Sequence, residues 1–193
     1  MSPTPVGPRE ALLARILEWF TDHGVVDTSL RTLAAGVGTS NRMLNYHFGS
    51  REELLGAVIE QVCVAEESAL QGYLAASTDP FAAGVAYWNH AATTAATFAP
   101  LFYELSAHAM YGKPYADRLR SILTTSWLGA FTEGFARVTT AAQAQRLAHL
   151  SLAVGRGVLF DLALTGDRAA ADASIAAFTA MAQHAIADGA EHV

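Results

Sequence analysis

Between Thr28 and Arg51 the chain carries no acidic residue, yet it places Arg31, Arg42, Arg51 and His47 there. The whole sequence has 18 acids against 12 lysines and arginines, a net charge of −6, so this window reverses the prevailing sign. Cations pair with phosphates, and a carboxylate on the same face would be repelled. The overall charge excludes a protein that coats nucleic acid along its whole surface; a local basic face remains open. Spacing says more than charge. Ala34 is followed four residues later by Gly38, and Leu44 comes six after that. A small residue lets two helices cross closely, a glycine supplies the left-handed turn between them, and an apolar residue packs the second helix onto the first. These are the demands of a helix-turn-helix. Its second helix presents Thr39, Asn41, Arg42, Asn45 and Tyr46 outward. Arg42 can fork onto guanine O6 and N7 or onto a phosphate, and Asn41 or Asn45 can pair with adenine N6 and N7.

The elements that hold these side chains follow from helical periodicity. Leu12, Leu13, Ile16, Leu17 and Phe20 share one face of a helix from Arg9 to His23, stopped by Gly24. A short helix with Leu30, Leu33 and Ala34 is capped by Thr28 or Ser29 and broken at Gly36-Val37-Gly38. The next runs from about Ser40 to Tyr46, with Met43 and Leu44 inward. Ser50-Arg51-Glu52-Glu53 has the form of a capping box, and the helix it opens continues past Glu66 to about Tyr73. Beyond Pro80, helices are expected over 81–96, 100–111, 114–138, 141–165 and 168–188, with prolines at helix starts, where a missing N–H costs nothing. No internal repeat and no credible strand is present. The fold class is therefore all-α. A loose arm (1–8) precedes a helix-turn-helix domain (9–50), and a larger helical body (51–193) is joined to it by a continuous helix.

The run Thr28-Ser29-Leu30-Arg31-x-Leu33-Ala34, then Val37-Gly38-x-Ser40, then Leu44-x-Tyr46-His47-Phe48-x-Ser50-Arg51-Glu52-Glu53-Leu54-Leu55, resembles the amino-terminal domain of the TetR family. The resemblance covers about residues 9 to 59, and the Tyr-His-Phe segment is its most specific part. It implies a homodimer held mainly by the last two long helices, bound to double-stranded operator DNA, usually as a repressor relieved by a small ligand. It places Thr28 and Ser29 on phosphate, Thr39, Ser40, Asn41, Arg42 and Asn45 on the recognition helix, Tyr46 and His47 at its aromatic end, and Arg51 at the opening of the fourth helix. Thr39 departs from the apolar residue usual after the turn glycine. Asn45 stands where an aromatic residue is common, which changes the base that is read.

The body resembles the family only in length and helical pattern. Trp88, Phe102, His108, Trp127 and Phe131 are the candidate lining of a mainly apolar effector pocket with a few polar anchors. Gly155 and Gly157 lie mid-helix, where each costs ~1 kcal/mol against Ala, a cost that close approach of another helix explains. With Ile175, Phe178 and Ile186 they form the expected dimer face, two helices from each chain. The connector helix is shared by head and body. A ligand pushing near Glu66 or Tyr73 would turn the head and change the spacing of the paired recognition helices, which must match about one DNA turn, ~34–36 Å.

Two other readings stay open. A ligand-free dimeric DNA-binding protein predicts a filled body. A small helical metal enzyme would use Glu104 and His108, four apart, with Glu66, Glu67 and His90. A di-iron bundle, however, wants Glu-x-x-His on two helices, and that spacing never occurs here. Neither a phosphate-binding glycine loop, a nucleophile elbow nor a zinc spacing is present, so no catalytic residue, metal or cofactor is assigned. The single cysteine, Cys63, implies no disulfide and reads as a small buried hydrophobe or a redox-sensing thiol. Residues 80–103 lack acids, lysines and arginines but contain Asn89, His90, three threonines and Pro100, which fits a helix buried in a soluble protein better than a membrane span. The expected location is the cytoplasm.

Overall fold

The computed structural model describes residues 7–25 and 28–190. Most of the expected amino-terminal arm lies outside them. Ten α-helices are present among the described residues: α1 (Pro8–His23), α2 (Leu30–Gly36), α3 (Asn41–Phe48), α4 (Arg51–Ala76), α5 (Pro80–Thr93), α6 (Ala95–Met110), α7 (Asp117–Ser121), α8 (Trp127–Phe135), α9 (Ala141–Thr165) and α10 (Arg168–Ala190). No strand occurs among these residues.

The chain packs as two compact units. The stretch up to Cys63 joins Pro100–Arg120, and Val64–Ala99 joins the chain from Ser121 onward. Both α4 and α6 thus contribute to each unit. In the first, Leu12, Leu13, Ile16 and Phe20 of α1 are buried together with Leu33 and Ala34 of α2, Leu44 and Phe48 of α3, and Leu54, Leu55, Val58 and Ile59 of α4. Cys63, only 1% exposed, belongs to that core. In the second, Trp88, Ala92 and Ala95 meet Leu162 of α9 and Ala171 and Ile175 of α10.

Helix boundaries follow local chemistry. Ser50 and Glu53 complete a reciprocal cap: the Glu53 amide donates to Ser50 Oγ (3.1 Å) and the Ser50 amide to Glu53 Oε2 (2.7 Å). Gly166 ends α9 in the left-handed conformation at φ 70°, and its amide donates to the Leu162 carbonyl.

Two stretches differ from the periodicity. Pro100 lies inside α6 rather than at its start. Its missing N–H falls where the chain passes from the second compact unit to the first. Residues 114–138 are not one helix. A 3-10 turn (Pro114–Ala116) leads into α7, and a five-residue π segment (Ile122–Ser126) follows before α8. Apolar periodicity cannot register such an insertion, because the residues on either side still show helical spacing.

Candidate nucleic-acid interface

The turn between α2 and α3 is built as its residue types demand. Ala34 is buried, Gly38 takes φ 68°, and the Thr39 amide donates to the Ala34 carbonyl at 2.8 Å. Gly36 has a separate task. A Cβ there would lie 2.2 Å from the Trp19 ring, so the end of α2 rests against the face of that indole. Trp19 in turn stacks on His23 at 3.7 Å. Ser29 caps α2 by accepting from the Thr32 amide (3.1 Å), and Ser40 caps α3 by accepting from Met43 (3.2 Å). Leu44 and Phe48 anchor α3 inward.

The outer side of α3 is polar and open. Asn41, Arg42, Asn45 and Tyr46 are exposed, Tyr46 at 78%. Ser29, Arg31 and Ser40 are exposed as well, while Thr39 and His47 are half-buried. A phenol ring, an arginine and two carboxamides thus share one open helix surface.

Three expected positions are placed differently. Thr28 is only 7% exposed and its hydroxyl donates to the Gly24 carbonyl (3.0 Å), so it holds the corner before α2 instead of facing outward. Met43, expected inward, is 39% exposed, because only Leu44 and Phe48 fall on the buried side of so short a helix. Arg51 donates from Nη2 to the Val25 carbonyl (2.9 Å), which turns its guanidinium toward the protein. The amide of Val25, a residue with no exposed surface, donates to Glu104 Oε2 on α6 at 2.8 Å. Charged side chains from two helices therefore hold both polar backbone groups of one buried residue. Sequence alone gave no hint of this, since residues 25, 51 and 104 share no local pattern. Arg9 was missed for the same reason: its Nε donates to the His47 carbonyl (3.3 Å), and its guanidinium lies over the Phe48 ring.

Residues 12–58 match the profile of bacterial regulatory proteins of the tetR family. This segment is a TetR-family amino-terminal domain. The TetR regulator fold extends over the rest of the chain. A TetR transcriptional regulator from Legionella pneumophila is 14% identical, with a TM-score of 0.74 over 96% of this chain and 99% of its own. A TetR-family regulator from Pectobacterium atrosepticum is 25% identical (TM-score 0.59; 91% and 90% covered). The repressor of the Stenotrophomonas maltophilia multidrug efflux pump is 17% identical (TM-score 0.62; 93% and 90%). No curated protein matches the sequence significantly.

The five expected pocket residues are divided between the two compact units. Phe102 and His108 belong to the first compact unit, and Trp88, Trp127 and Phe131 to the second. Trp88 is a packing residue: its indole N–H donates to Asp172 Oδ1 on α10 at 2.7 Å, beside a 2.7 Å contact from Arg168. Hydrogen bonds from Trp88 and then Arg168 hold the Asp172 carboxyl below its ordinary range. His108 lies 3.3 Å from the Tyr115 hydroxyl, and Glu104 serves Val25, so the pair considered for metal binding has separate tasks.

Of the expected dimer residues, Ile175 is buried in the protomer core beside Trp88, and Phe178 and Ile186 are half-buried. Nothing lies within 4 Å of a Cβ at Gly155 or Gly157. The exposed face of α9 runs through Leu150, Ala153, Gly157, Phe160 and Leu164, at alternating steps of three and four residues. That apolar stripe has the spacing of a helix seam. Among the described residues, α9 is also the helix long and apolar enough to cross a membrane, with only 17% of the qualifying window buried. Residues 80–103, by contrast, are divided between α5 and α6 at Thr94.

Proposed function

We propose that this protein is a sequence-specific DNA-binding transcriptional regulator, a repressor, that holds operator DNA as a homodimer and is released by a small, largely apolar ligand. The observation that carries the reading is the outer face of α3, where Asn41, Arg42, Asn45 and Tyr46 stand exposed on a glycine-turned, acid-free corner. A helix so placed fits the major groove, with Arg42 or the asparagines at base edges and Ser29, Ser40 and Arg31 toward phosphates. The α9 stripe supports dimerisation, because a row of apolar side chains at seam spacing loses water when a second copy covers it. Gly157 at its centre permits the close approach. A membrane would cover the same face, but α9 is continuous in one compact unit with α5, α8 and α10, which supports a helix-bundle partner.

A ligand can act only through a difference in affinity between DNA-competent and released states. Operator sites selected from a random duplex pool test the proposal. Arg42→Ala is expected to lose operator binding while the oligomeric state stays unchanged. A true base contact is worth ~1–3 kcal/mol at its base pair, about five- to over a hundredfold. Unchanged affinity in a gel-shift titration would refute the assignment of α3.

A further inference from the structure

Within the second compact unit, one group of side chains has no part in the packing core around Trp88. Glu66 and Tyr73 lie on α4, Tyr87 and His90 on α5, Trp127 on α8 and Arg156 on α9. The Tyr87 hydroxyl donates to Glu66 Oε2 at 2.9 Å. The rings form a continuous wall: Tyr73 to Tyr87 at 6.3 Å, Tyr73 to His90 at 5.9 Å, Tyr87 to His90 at 6.3 Å, and Tyr87 edge-on to Trp127 at 6.4 Å. Trp127 is buried, while Glu66, Tyr73, Tyr87, His90 and Arg156 each keep part of their surface open.

We propose that Glu66 anchors the protonated amine of an aromatic effector whose ring lies against Tyr73, Tyr87, His90 and Trp127; this deepens, and rests on, the reading of the body as a sensor. An aromatic wall joined to a carboxylate through the Tyr87 hydroxyl attracts a cation twice, through ring quadrupoles and through charge. A carboxylate offers about four lone-pair positions, and the Tyr87 hydroxyl occupies one at Oε2. Burial first, and then the neighbouring Glu66 charge, hold the Tyr87 phenol well above its ordinary range. It therefore stays a donor and adds no second anion. Arg156 is turned to the wall: Nη2 donates to the Leu123 carbonyl, inside the π segment, and its guanidinium lies over the Trp127 ring. The π segment is thereby tied to the same site, a placement common for such insertions.

Calorimetric titration of the full-length protein with three probes of one shape tests this: 2-(2-naphthyl)ethylamine, 2-(2-naphthyl)ethanol and 2-naphthylacetate. The amine is expected to bind about tenfold or more tightly than either of the others, and Glu66→Gln, which keeps an oxygen for Tyr87, to erase that preference. Equal binding of the three, tighter binding of the acetate, no binding of any, or an unchanged preference in Glu66→Gln would each overturn the assignment. Gel shifts on selected operator DNA without probe separate the two claims. Retained DNA binding with no amine preference sinks the effector class alone, and absence of DNA binding by the wild type sinks the regulator reading.

Discussion

Removal of the Glu104 carboxylate tests whether the Val25 clamp holds the helix-turn-helix corner. Val25 has no exposed surface, so in Glu104→Ala its amide loses its 2.8 Å acceptor. Losing a hydrogen bond to a charged group and stranding a buried donor costs ~1.5–3 kcal/mol. Arg51→Ala is the informative contrast. The Val25 carbonyl keeps a second donor, the Thr28 amide at 3.3 Å, so the loss there is expected to be the smaller of the two. Glu104→Gln retains a neutral acceptor and should fall between wild type and Glu104→Ala. For a chain of this size each kcal/mol moves the midpoint by about 2–4 °C, which puts Glu104→Ala roughly 3–12 °C below wild type in thermal denaturation followed by circular dichroism. The same variants, titrated against operator DNA below their transitions, report whether the corner stays in register. A wild-type midpoint for Glu104→Ala, or a larger loss for Arg51→Ala, would show that the clamp carries no such energy.

Gly36→Ala sets a gain of ~1 kcal/mol in helix propensity against overpacking of ~1–3 kcal/mol, because the Trp19 ring must retreat from a Cβ 2.2 Å away. A net drop in melting temperature is expected, and a rise would mean that the ring moves freely. Leu164→Glu, at a position 69% exposed, should leave the monomer folded and weaken self-association roughly a hundredfold, as read by sedimentation equilibrium. A wild-type dimer in that variant excludes the α9 stripe as the interface. Asp172, whose carboxyl titrates below its ordinary range, contributes stability that is present above the unfolded-state value and is lost as pH falls through the lowered folded one. Asp172→Asn keeps an oxygen for Trp88 and should flatten the acid limb of the melting-temperature profile; parallel acid limbs count against the pairing.

Much of the amino-terminal unit was legible because its determinants are local. Ser50 and Glu53 are three residues apart and cap each other, and Ala34, Gly38 and Leu44 do in space what their spacing announces. The same logic failed at Thr28 and Arg51. Their exposure is decided by Gly24 and Val25 across a corner, and side-chain type alone does not say which way a polar group turns. In the body, aromatic content marked Trp88, Phe102 and Trp127 alike. Separating a packing indole, as at Trp88 on Asp172, from a wall residue at Trp127 takes tertiary partners far apart in sequence. The α9 boundaries were fully readable, since Thr140 and Gly166 punctuate both ends.

The eight residues of α3 have a consequence for addressing. At 1.5 Å per residue the helix is about 12 Å long, close to the width of the groove it would enter, and so only a handful of base pairs lie within its reach. A word that short recurs by chance many times among the ~10⁶–10⁹ competing sites of a genome. Two copies joined through their bodies, as proposed, would spell the word twice at a fixed separation, and the distance between the halves would become information in its own right. Under the proposed function, selectivity would be shared between the letters read by α3 and the ruler that pairing of the α9 helices would supply.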